Sequence, residues 1–312
     1  MIGLVTIILI CIFMLNGIYV HTALYKNNHD VVKNYLVDIP YDLEFVNLGS
    51  TYARYAFDSY EDLNIKGYNF ALESQALNYD YEILKTYCNH MAENCIVFIP
   101  LAACVMFFQN SKDAETQYYY VFKKNNIGRF NWKSYLKYKL PLFFDVKVVL
   151  KKICIKILKK EKSDTTVEQA EMSMNSLVLL WKKMFGLENL TNISVLQVSK
   201  IQMTENGKCL DEMIRFCEEN HFKPVIVIPP FSKYLNKYFS EDFVNETIYK
   251  NIKRDVMILD YRNDSWFQEK IELYSDGGFL LNKQGSKLFM KKLFNDVKKK
   301  MSEGEKIVKT GC

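Results

Sequence analysis

The chain has 312 residues, of which 49% are apolar and 25% charged, and its formal net charge is +5. This composition supplies enough apolar surface for a full core and excludes a globally disordered protein. Twelve glycines and six prolines argue against a long flexible linker. The sequence lacks the basic and aromatic interleaving of a nucleic-acid-binding module, so no nucleic-acid partner is expected.

The amino-terminal segment is the first predicted element. Residues 2–20 contain no charged side chain and are long enough to cross a bilayer core. No basic segment or small-residue cleavage site accompanies them, which favours a retained signal anchor over a cleaved signal peptide, with a buried soluble helix as a third alternative. Lys26 and Lys33 follow the apolar run and by themselves favour an internal body. We predict an anchor over residues 1–22 and a juxtamembrane segment over 23–42.

The eight cysteines show no C-x-x-C pair and no paired histidine and cysteine spacing. The sequence therefore predicts no zinc site and no other metal site. Most of these cysteines have the surroundings of small core residues. A bridge between Cys88 and Cys95 is one option in an oxidising compartment, although spacing alone does not establish it.

Five short apolar runs alternate with helical patterns. Continuous valine and isoleucine runs are typical of parallel strands that are buried on both faces. Helical stripes run from Leu210 to Cys217 and from Gly285 to Val297. They predict a three-layer α/β/α sandwich with a mostly parallel, doubly wound sheet over residues 43–303, followed by a tail over 304–312. The predicted strands are LEFVNLG (43–49), IKGYNFAL (65–72), CIVFIPL (95–101), KPVIVIPP (223–230) and DVMILDY (255–261).

A mostly helical, basic insertion is predicted at about 104–200, between the third and fourth strands. Within it, residues 145–162 place valine, leucine and isoleucine on one side and six lysines mostly on the other. A helix of this kind lies on an anionic membrane surface in some proteins. The alternative is an ordinary solvated helix that packs one face on the domain.

Ligands of open parallel sheets bind at the carboxyl ends of the strands. That rule brings Ser50 and the segment Gly67–Asn69 to one edge. A serine there can attack an acyl carbon if a base takes its proton and donors hold the oxyanion. The alternative for Ser50 is a helix N-cap. Arg54 follows on the same predicted helix and is either a contact for an anionic polymer or a solvated arginine.

The order of four motifs resembles the SGNH hydrolase superfamily, also called the GDSL family. FVNLGSTYARYAFD resembles its first block, with Asn-Leu-Gly-Ser where the family has Gly-Asp-Ser. GYNFALESQALNYDYEILKTY resembles the second block, FKPVIVIPPFSKYL a late strand, and YSDGGFLLNKQGSKLF the final D-x-x-H block. The resemblance covers residues 43–101 and 205–300. An anchor followed by such a body is similar to D-alanyl-lipoteichoic acid transfer proteins and alginate-type O-acetyltransferases.

The resemblance implies an SGNH/flavodoxin-like fold and an extracytoplasmic body at the bacterial membrane. It implies that Ser50 is the nucleophile, that the oxyanion donors are the Ser50 N–H, Gly67 and Asn69, and that Asp276 is the base or the residue that orients it. No metal or organic cofactor is required for a covalent acyl-serine. The implied partners are an acyl donor, a surface polysaccharide and a membrane-bound acyltransferase.

The final block departs from the family pattern at the base. Phe279 stands three residues after Asp276, and Leu280 stands two residues before Asn282, where the family has histidine. All four histidines of the chain precede this block. Two functions are therefore predicted side by side: acyl-ester transfer or hydrolysis on a surface polysaccharide, and a catalytically degenerate protein that binds glycan or an acyltransferase. A Rossmann-like body of unrelated function is a third alternative, but no glycine-rich fingerprint supports it.

Overall fold

A computed structural model describes residues 2–23, 25, 39–108, 116–122, 130–145, 166–191 and 197–310. Contacts divide the chain into two compact units. The first comprises residues 1–39 and 111–163, and the second comprises residues 40–110 and 164–312. The insertion predicted at about 104–200 thus falls partly in each unit, and the predicted domain boundaries stay predictions.

Helices and strands alternate through most of the chain. The strands are β1 (Leu43–Asn47), β2 (Gly67–Asn69), β3 (Met91–Pro100), β4 (Lys223–Ile228) and β5 (Met257–Asp260). The helices are α1 (Ile2–Val20), α2 (Thr51–Ala56), α3 (Leu77–Tyr87), α4 (Tyr118–Val121), α5 (Trp132–Lys139), α6 (Val167–Phe185), α7 (Gln197–Glu219), α8 (Lys233–Asn236), α9 (Glu241–Thr247), α10 (Ser265–Glu269) and α11 (Lys283–Thr310). Helix α11 extends through most of the predicted tail.

The second unit contains a five-stranded sheet in the order β2-β1-β3-β4-β5. Every neighbouring pair is parallel, which confirms the predicted α/β class and all five predicted strands. Strand β3 begins earlier than predicted, because its pairing with β1 shifts register between Leu43 and Phe45. Such an irregularity lets a strand continue past the point where regular pairing stops.

Apolar side chains on both sides of the sheet form the core. Val46, Val97 and Ile226 lie in the three central strands, and all three are fully buried. Phe45 and Phe98 both contact Phe294 of α11, with ring centroids 4.7 and 5.8 Å apart. Helix α11 also packs on α2, whereas α3 packs on α7. This pairing of helices is that of a doubly wound sheet.

The first unit is built around α1. The Asn16 side-chain amide donates to the Lys139 carbonyl (3.1 Å) and its oxygen accepts from the Leu142 N–H (3.3 Å). The Tyr19 hydroxyl donates to Asp145 (3.0 Å). In the described part of the chain, no helix is both long and apolar enough to span a membrane. The basic amphipathic helix predicted at 145–162 lies outside the described residues after its first position.

Six cysteines are free thiols in the described chain. Cys88 and Cys95 are among them, so the bridge considered from their spacing is not formed. Burial raises the pKa of the Cys95 thiol to about 12, with a smaller contribution from the Glu44 carboxylate. A thiol held protonated in this way behaves as a small core side chain.

Candidate functional site

The strand order places the candidate site at the topological switch point between β1 and β3. In a doubly wound sheet of order 2-1-3-4-5, the connection after β1 and the connection after β3 run in opposite directions. A crevice forms between them at the carboxyl ends of these two strands. Ser50 follows β1 directly, and Pro100 ends β3. The Tyr52 hydroxyl donates to the Pro100 carbonyl (2.6 Å), which joins the two strand ends.

Gly49 makes the sharp turn between β1 and the serine. Its φ of +112° is rarely adopted by residues that carry a side chain, and a Cβ there would lie 2.7 Å from Ala53 Cβ. Its N–H donates to Asp80 Oδ1 (2.7 Å), and its carbonyl accepts from the Leu72 N–H (3.2 Å). The turn is therefore fixed from both sides by buried hydrogen bonds.

Ser50 occupies the N-cap position of α2, with φ −96° and ψ −164°. Its carbonyl accepts from the Arg54 N–H (3.0 Å), as the carbonyl of a capping residue does. Its hydroxyl makes no capping hydrogen bond, and the residue is 4% exposed. The cap alternative thus describes the backbone of Ser50 but leaves its hydroxyl for another role.

The two other predicted oxyanion donors are engaged by the backbone. The Gly67 N–H donates to the Ile65 carbonyl (2.8 Å), and a Cβ at Gly67 would collide with the Tyr60 ring at 2.3 Å. The Asn69 side-chain nitrogen donates to the Arg54 carbonyl (2.9 Å), while its oxygen accepts from Asn47 Nδ2 (2.8 Å). These hydrogen bonds tie β2 to α2. An oxyanion role for Gly67 or Asn69 therefore stays a prediction, and it would require one of these hydrogen bonds to break.

Arg54 is the predicted substrate contact. Its guanidinium pairs with the Glu73 carboxylate (3.1 Å), and 20% of its side chain is exposed. The positive charge is therefore partly neutralised within the protein, and a polymer anion would compete with Glu73 for it.

Asp276 organises the loop that precedes α11. Its Oδ1 accepts from the N–H groups of the three residues Gly278, Phe279 and Leu280 at 2.9–3.0 Å. The same loop is held by Ser232, which follows β4 and whose N–H donates to the Gly278 carbonyl (3.0 Å). One carboxylate oxygen of Asp276 therefore accepts hydrogen bonds that fix the conformation of the loop, and it does not orient a neighbouring base.

Phe279 stands at the histidine position of the resembled motif and lies in an aromatic cluster. Its ring centroid is 5.7 Å from that of Tyr52, 5.1 Å from Trp181 and 5.6 Å from Phe231. The contact with Tyr52 brings the final loop to the helix that begins after Ser50. The structure therefore joins the first and last motifs as the resemblance implies, but the group it places there accepts no proton.

The described histidines of this unit lie at the opposite edge of the sheet. His90 immediately precedes β3, and its ring stacks on Tyr41 with centroids 4.2 Å apart. His221 precedes β4, and its carbonyl accepts from the Asn94 N–H (3.1 Å). Both histidines therefore lie at the amino ends of strands, as expected for His221. Ser50 lies at the carboxyl end of β1, on the other edge of the sheet.

Asp80 is a residue of the site that the sequence reasoning missed. It is 2% exposed, and burial raises the pKa of its carboxyl to about 7, while hydrogen bonds from the Gly49 N–H and Gln75 oppose the shift. Asp80 lies three residues after Leu77 and four before Leu84, both fully buried on α3. An acid inside an apolar helical stripe is the signal that the sequence offered.

A cavity of about 300 Å³ opens beside this site. Gly67 and Asn69 line it, whereas Ser50 does not. Its remaining lining residues are Phe57, Asp58, Ser59, Tyr60, Glu61, Asp62, Tyr68 and Lys283. No grouping of histidine, cysteine and carboxylate side chains suited to a metal ion occurs among the residues whose placement is described.

Comparison with solved structures finds distant likenesses. A candidate acylhydrolase from Bacteroides fragilis NCTC 9343 aligns with a TM-score of 0.42 at 9% identity, covering 88% of this chain and 97% of its own. A GDSL-like lipase from Bacteroides thetaiotaomicron VPI-5482 aligns with a TM-score of 0.41 at 8% identity over the same shares. A candidate lipolytic protein of the G-D-S-L family from Desulfitobacterium hafniense DCB-2 gives 0.34 at 14% identity, with 78% and 94% covered. No protein-family model and no curated protein matches the sequence.

Proposed function

We propose that the chain is an SGNH-like protein that transfers or hydrolyses acyl esters, O-acetyl or similar, on a cell-surface or capsular polysaccharide. The observation that carries this proposal is the position of Ser50 at the β1/β3 switch point, on a sharp strand-to-helix turn, with a hydroxyl that does not cap the helix. A serine on such a turn is the geometry of a nucleophile. The ordered sequence motifs around it support the same assignment.

In the proposed reaction, Ser50 Oγ bonds to the acyl carbonyl carbon and the polymer oxygen leaves with a proton. The acyl-serine then passes its acyl group to water or to an acceptor hydroxyl, which restores the serine. Because the structure brings no described histidine to Ser50, the serine proton goes to water or hydroxide. The reaction is therefore slow, and its rate rises with hydroxide concentration.

A second candidate function is binding without catalysis, of a glycan or of an acyltransferase partner. The aromatic cluster of Phe279, Tyr52, Trp181 and Phe231 favours it, because the position of the base is filled by a ring that contacts other rings. Tyr52, Trp181 and Phe231 are at most 7% exposed, whereas Phe279 is half-buried, so Phe279 is the ring of this cluster that a sugar ring or acyl chain would contact.

We propose further that residues 1–22 anchor the chain in a bacterial membrane with the body on the extracytoplasmic side. The apolar run forms the helix α1, whose Leu4, Ile7, Phe13 and Ile18 side chains are each at least 60% exposed. A run of exposed apolar side chains along one helix marks a surface that contacts a membrane or a protein, and this supports the anchor. The similarity in layout to membrane-anchored acyl-transfer proteins supports the orientation.

The test uses the full-length chain in detergent with an activated acetyl ester. Wild type is expected to release the alcohol faster than Ser50→Ala, at a rate that rises about tenfold per pH unit between about pH 7 and 9. Mass spectrometry of wild type should show an acetyl adduct on Ser50. Ser176→Ala removes an exposed serine of α6 whose hydroxyl bonds the Met172 carbonyl of the same helix, and this control should keep the activity.

Identical background from wild type and Ser50→Ala would reject the catalytic proposal. The binding candidate is then tested with O-acetylated polysaccharide. Retention of the wild-type chain on the polymer and its loss in Phe279→Ala would support binding at the same site.

A further inference from the structure

Helix α5 and the residues that flank it expose an unusual set of large apolar side chains. Trp132 is 68% exposed and Phe143 49%. The remaining members of this set, which we call the α5 surface, are Phe130, Leu136 and Phe144, at 43%, 42% and 38% exposure. Phe130 packs edge-on against Trp132 with ring centroids 5.1 Å apart, so these two rings form one exposed aromatic patch. Leu136 lies one helical turn after Trp132, on the same side of α5.

Lysines border the apolar row of α5 on both sides. At about 100° of rotation per residue, Trp132 and Leu136 lie in one row, Lys133 and Lys137 lie on one side of it, and Lys139 lies on the other. All three lysines are exposed. The side of the helix next to Trp132 carries Tyr135 and Tyr138, which contact Tyr119 with centroids 5.5 and 5.9 Å apart. Lys139 Nζ lies 4.7 Å from the centre of the Tyr138 ring on this side. The tyrosine side of the helix is thus packed, whereas the row of Trp132 and Leu136 is exposed and bordered by lysines.

The α5 surface is tied to the carboxyl-terminal end of α1. Asn16 hydrogen-bonds Lys139 and Leu142, and Tyr19 hydrogen-bonds Asp145. Asn16 and Tyr19 both lie in the last two turns of α1. Along its length, α1 exposes further apolar side chains at Leu4, Ile7, Ile10, Phe13, Met14, Leu15 and Ile18. The aromatic and basic patch therefore sits where an apolar helix ends.

Charge in this part of the chain is strongly positive. Residues 111–163 contain fourteen lysines and arginines and four acidic residues, a net charge of +10. The whole chain carries +5, so the remainder carries −5. The sequence of this unit is therefore basic, and the exposed lysines of α5 are complementary to an anionic partner. Their attraction to it weakens as ionic strength rises.

We propose that the α5 surface binds the headgroup region of an anionic lipid bilayer. Tryptophan and phenylalanine prefer this region because it is apolar on one side and wet on the other, and lysine stems lie along apolar surface while the ammonium groups reach phosphates. Each lysine held near an anionic surface adds to the affinity. The proposal extends the membrane location proposed above and does not depend on any ester chemistry at Ser50.

The test reconstitutes the full-length chain in vesicles that contain phosphatidylglycerol and a brominated phosphatidylcholine, whose bromine quenches tryptophan fluorescence within contact distance. Wild type should be quenched, and Trp132→Phe should lose more than half of the quenching. Trp266→Phe is the matched control, because Trp266 is also exposed (46%) and also lies beside a lysine, Lys270, at 5.2 Å. Substitution of an exposed tryptophan changes stability little, so all three proteins fold.

A second arm tests the charge. The test variant carries the three substitutions Lys133→Gln, Lys137→Gln and Lys139→Gln. Its quenching should no longer depend on phosphatidylglycerol, and its salt-sensitive affinity for vesicles should fall about 100-fold. Equal quenching in wild type and Trp132→Phe would overturn the proposal, and so would the absence of quenching in a chain that floats with the vesicles. Either result would indicate that the α5 surface binds a protein instead. Failure to float at low salt would overturn it together with the anchor. Quenched chains that alkaline carbonate releases would refute the anchor alone.

Discussion

Replacing Asp80 by asparagine is expected to flatten the pH dependence of folding stability. Burial raises the pKa of the Asp80 carboxyl from 3.8 to about 7. The folded chain therefore keeps this proton at pH values where the unfolded chain has already lost it. The contribution of Asp80 to the free energy of unfolding falls as pH rises from about 4 to 7, by about 1.4 kcal/mol per pH unit. Over the interval the loss amounts to about 4 kcal/mol, and above pH 7 it stays constant.

The hydrogen bonds around Asp80 favour asparagine as the neutral replacement. An asparagine oxygen can still accept the Gly49 N–H, which now lies 2.7 Å from Asp80 Oδ1. Its amide can donate to Gln75 Oε1, a buried atom without a hydrogen-bond partner in the described chain, once the Gln75 amide turns over. At pH 8, Asp80→Asn should therefore be more stable than wild type, by up to about 4 kcal/mol.

The measurement is urea unfolding of the full-length chain in detergent, followed by circular dichroism at several values between about pH 4.5 and 8. Asp80→Ala is the control, because it removes the charge but leaves the Gly49 N–H buried without an acceptor, which costs about 1–3 kcal/mol. Equal pH slopes for wild type and Asp80→Asn between about pH 5 and 7 would refute the assigned titration. If asparagine were as destabilising as alanine at pH 8, the neutral hydrogen-bond network would be wrong.

Two further predictions concern the turn before Ser50 and the buried thiols. Gly49→Ala should cost at least about 2 kcal/mol in urea unfolding, since it adds a Cβ 2.7 Å from its neighbour at a positive φ. Gly17→Ala, inside α1, is the control, because a Cβ there meets no atom within 4 Å. It should change stability by less than about 1 kcal/mol, and equal costs would contradict the strain at Gly49. Iodoacetamide at pH 8 should label Cys88 in the folded chain but not Cys95 or Cys209, because burial raises the pKa of both thiols to about 12. Labelling of all three at the rate seen in urea would contradict that burial.

The sheet was predictable from sequence because its strands are buried on both faces. The run KPVIVI is too continuous in β-branched residues to be a half-exposed strand, and it is β4. The limits of β2 were less predictable, because an eight-residue pattern shortens to Gly67–Asn69. The Phe70 N–H bonds the carbonyl of Asn47, the last residue of β1, and the Leu72 N–H bonds the Gly49 carbonyl in the turn that follows. Such a choice depends on the neighbouring strand, which periodicity does not encode.

That the segments of Ser50 and Asp276 lie close together was predictable from the sequence, whereas the hydrogen bonds around them were not. The order of motifs placed Ser50 and the loop of Asp276 near one edge, and the Phe279–Tyr52 contact joins the two segments. The sequence did not show that Asn69 bonds the Arg54 carbonyl, because side-chain partners depend on the tertiary arrangement. Asp80 was missed because an aspartate in the first turn of a helix is usually solvated, and only the tertiary arrangement buries this one.

The aromatic cluster around Phe279 also limits how this protein can change. A histidine substituted at this position would stand among the rings of Tyr52, Trp181 and Phe231, within the 5.1–5.7 Å centroid distances that Phe279 now has. Such surroundings disfavour the imidazolium ion that a base must become when it takes a proton. A working base at position 279 would therefore require changes in the surrounding rings as well as the substitution itself.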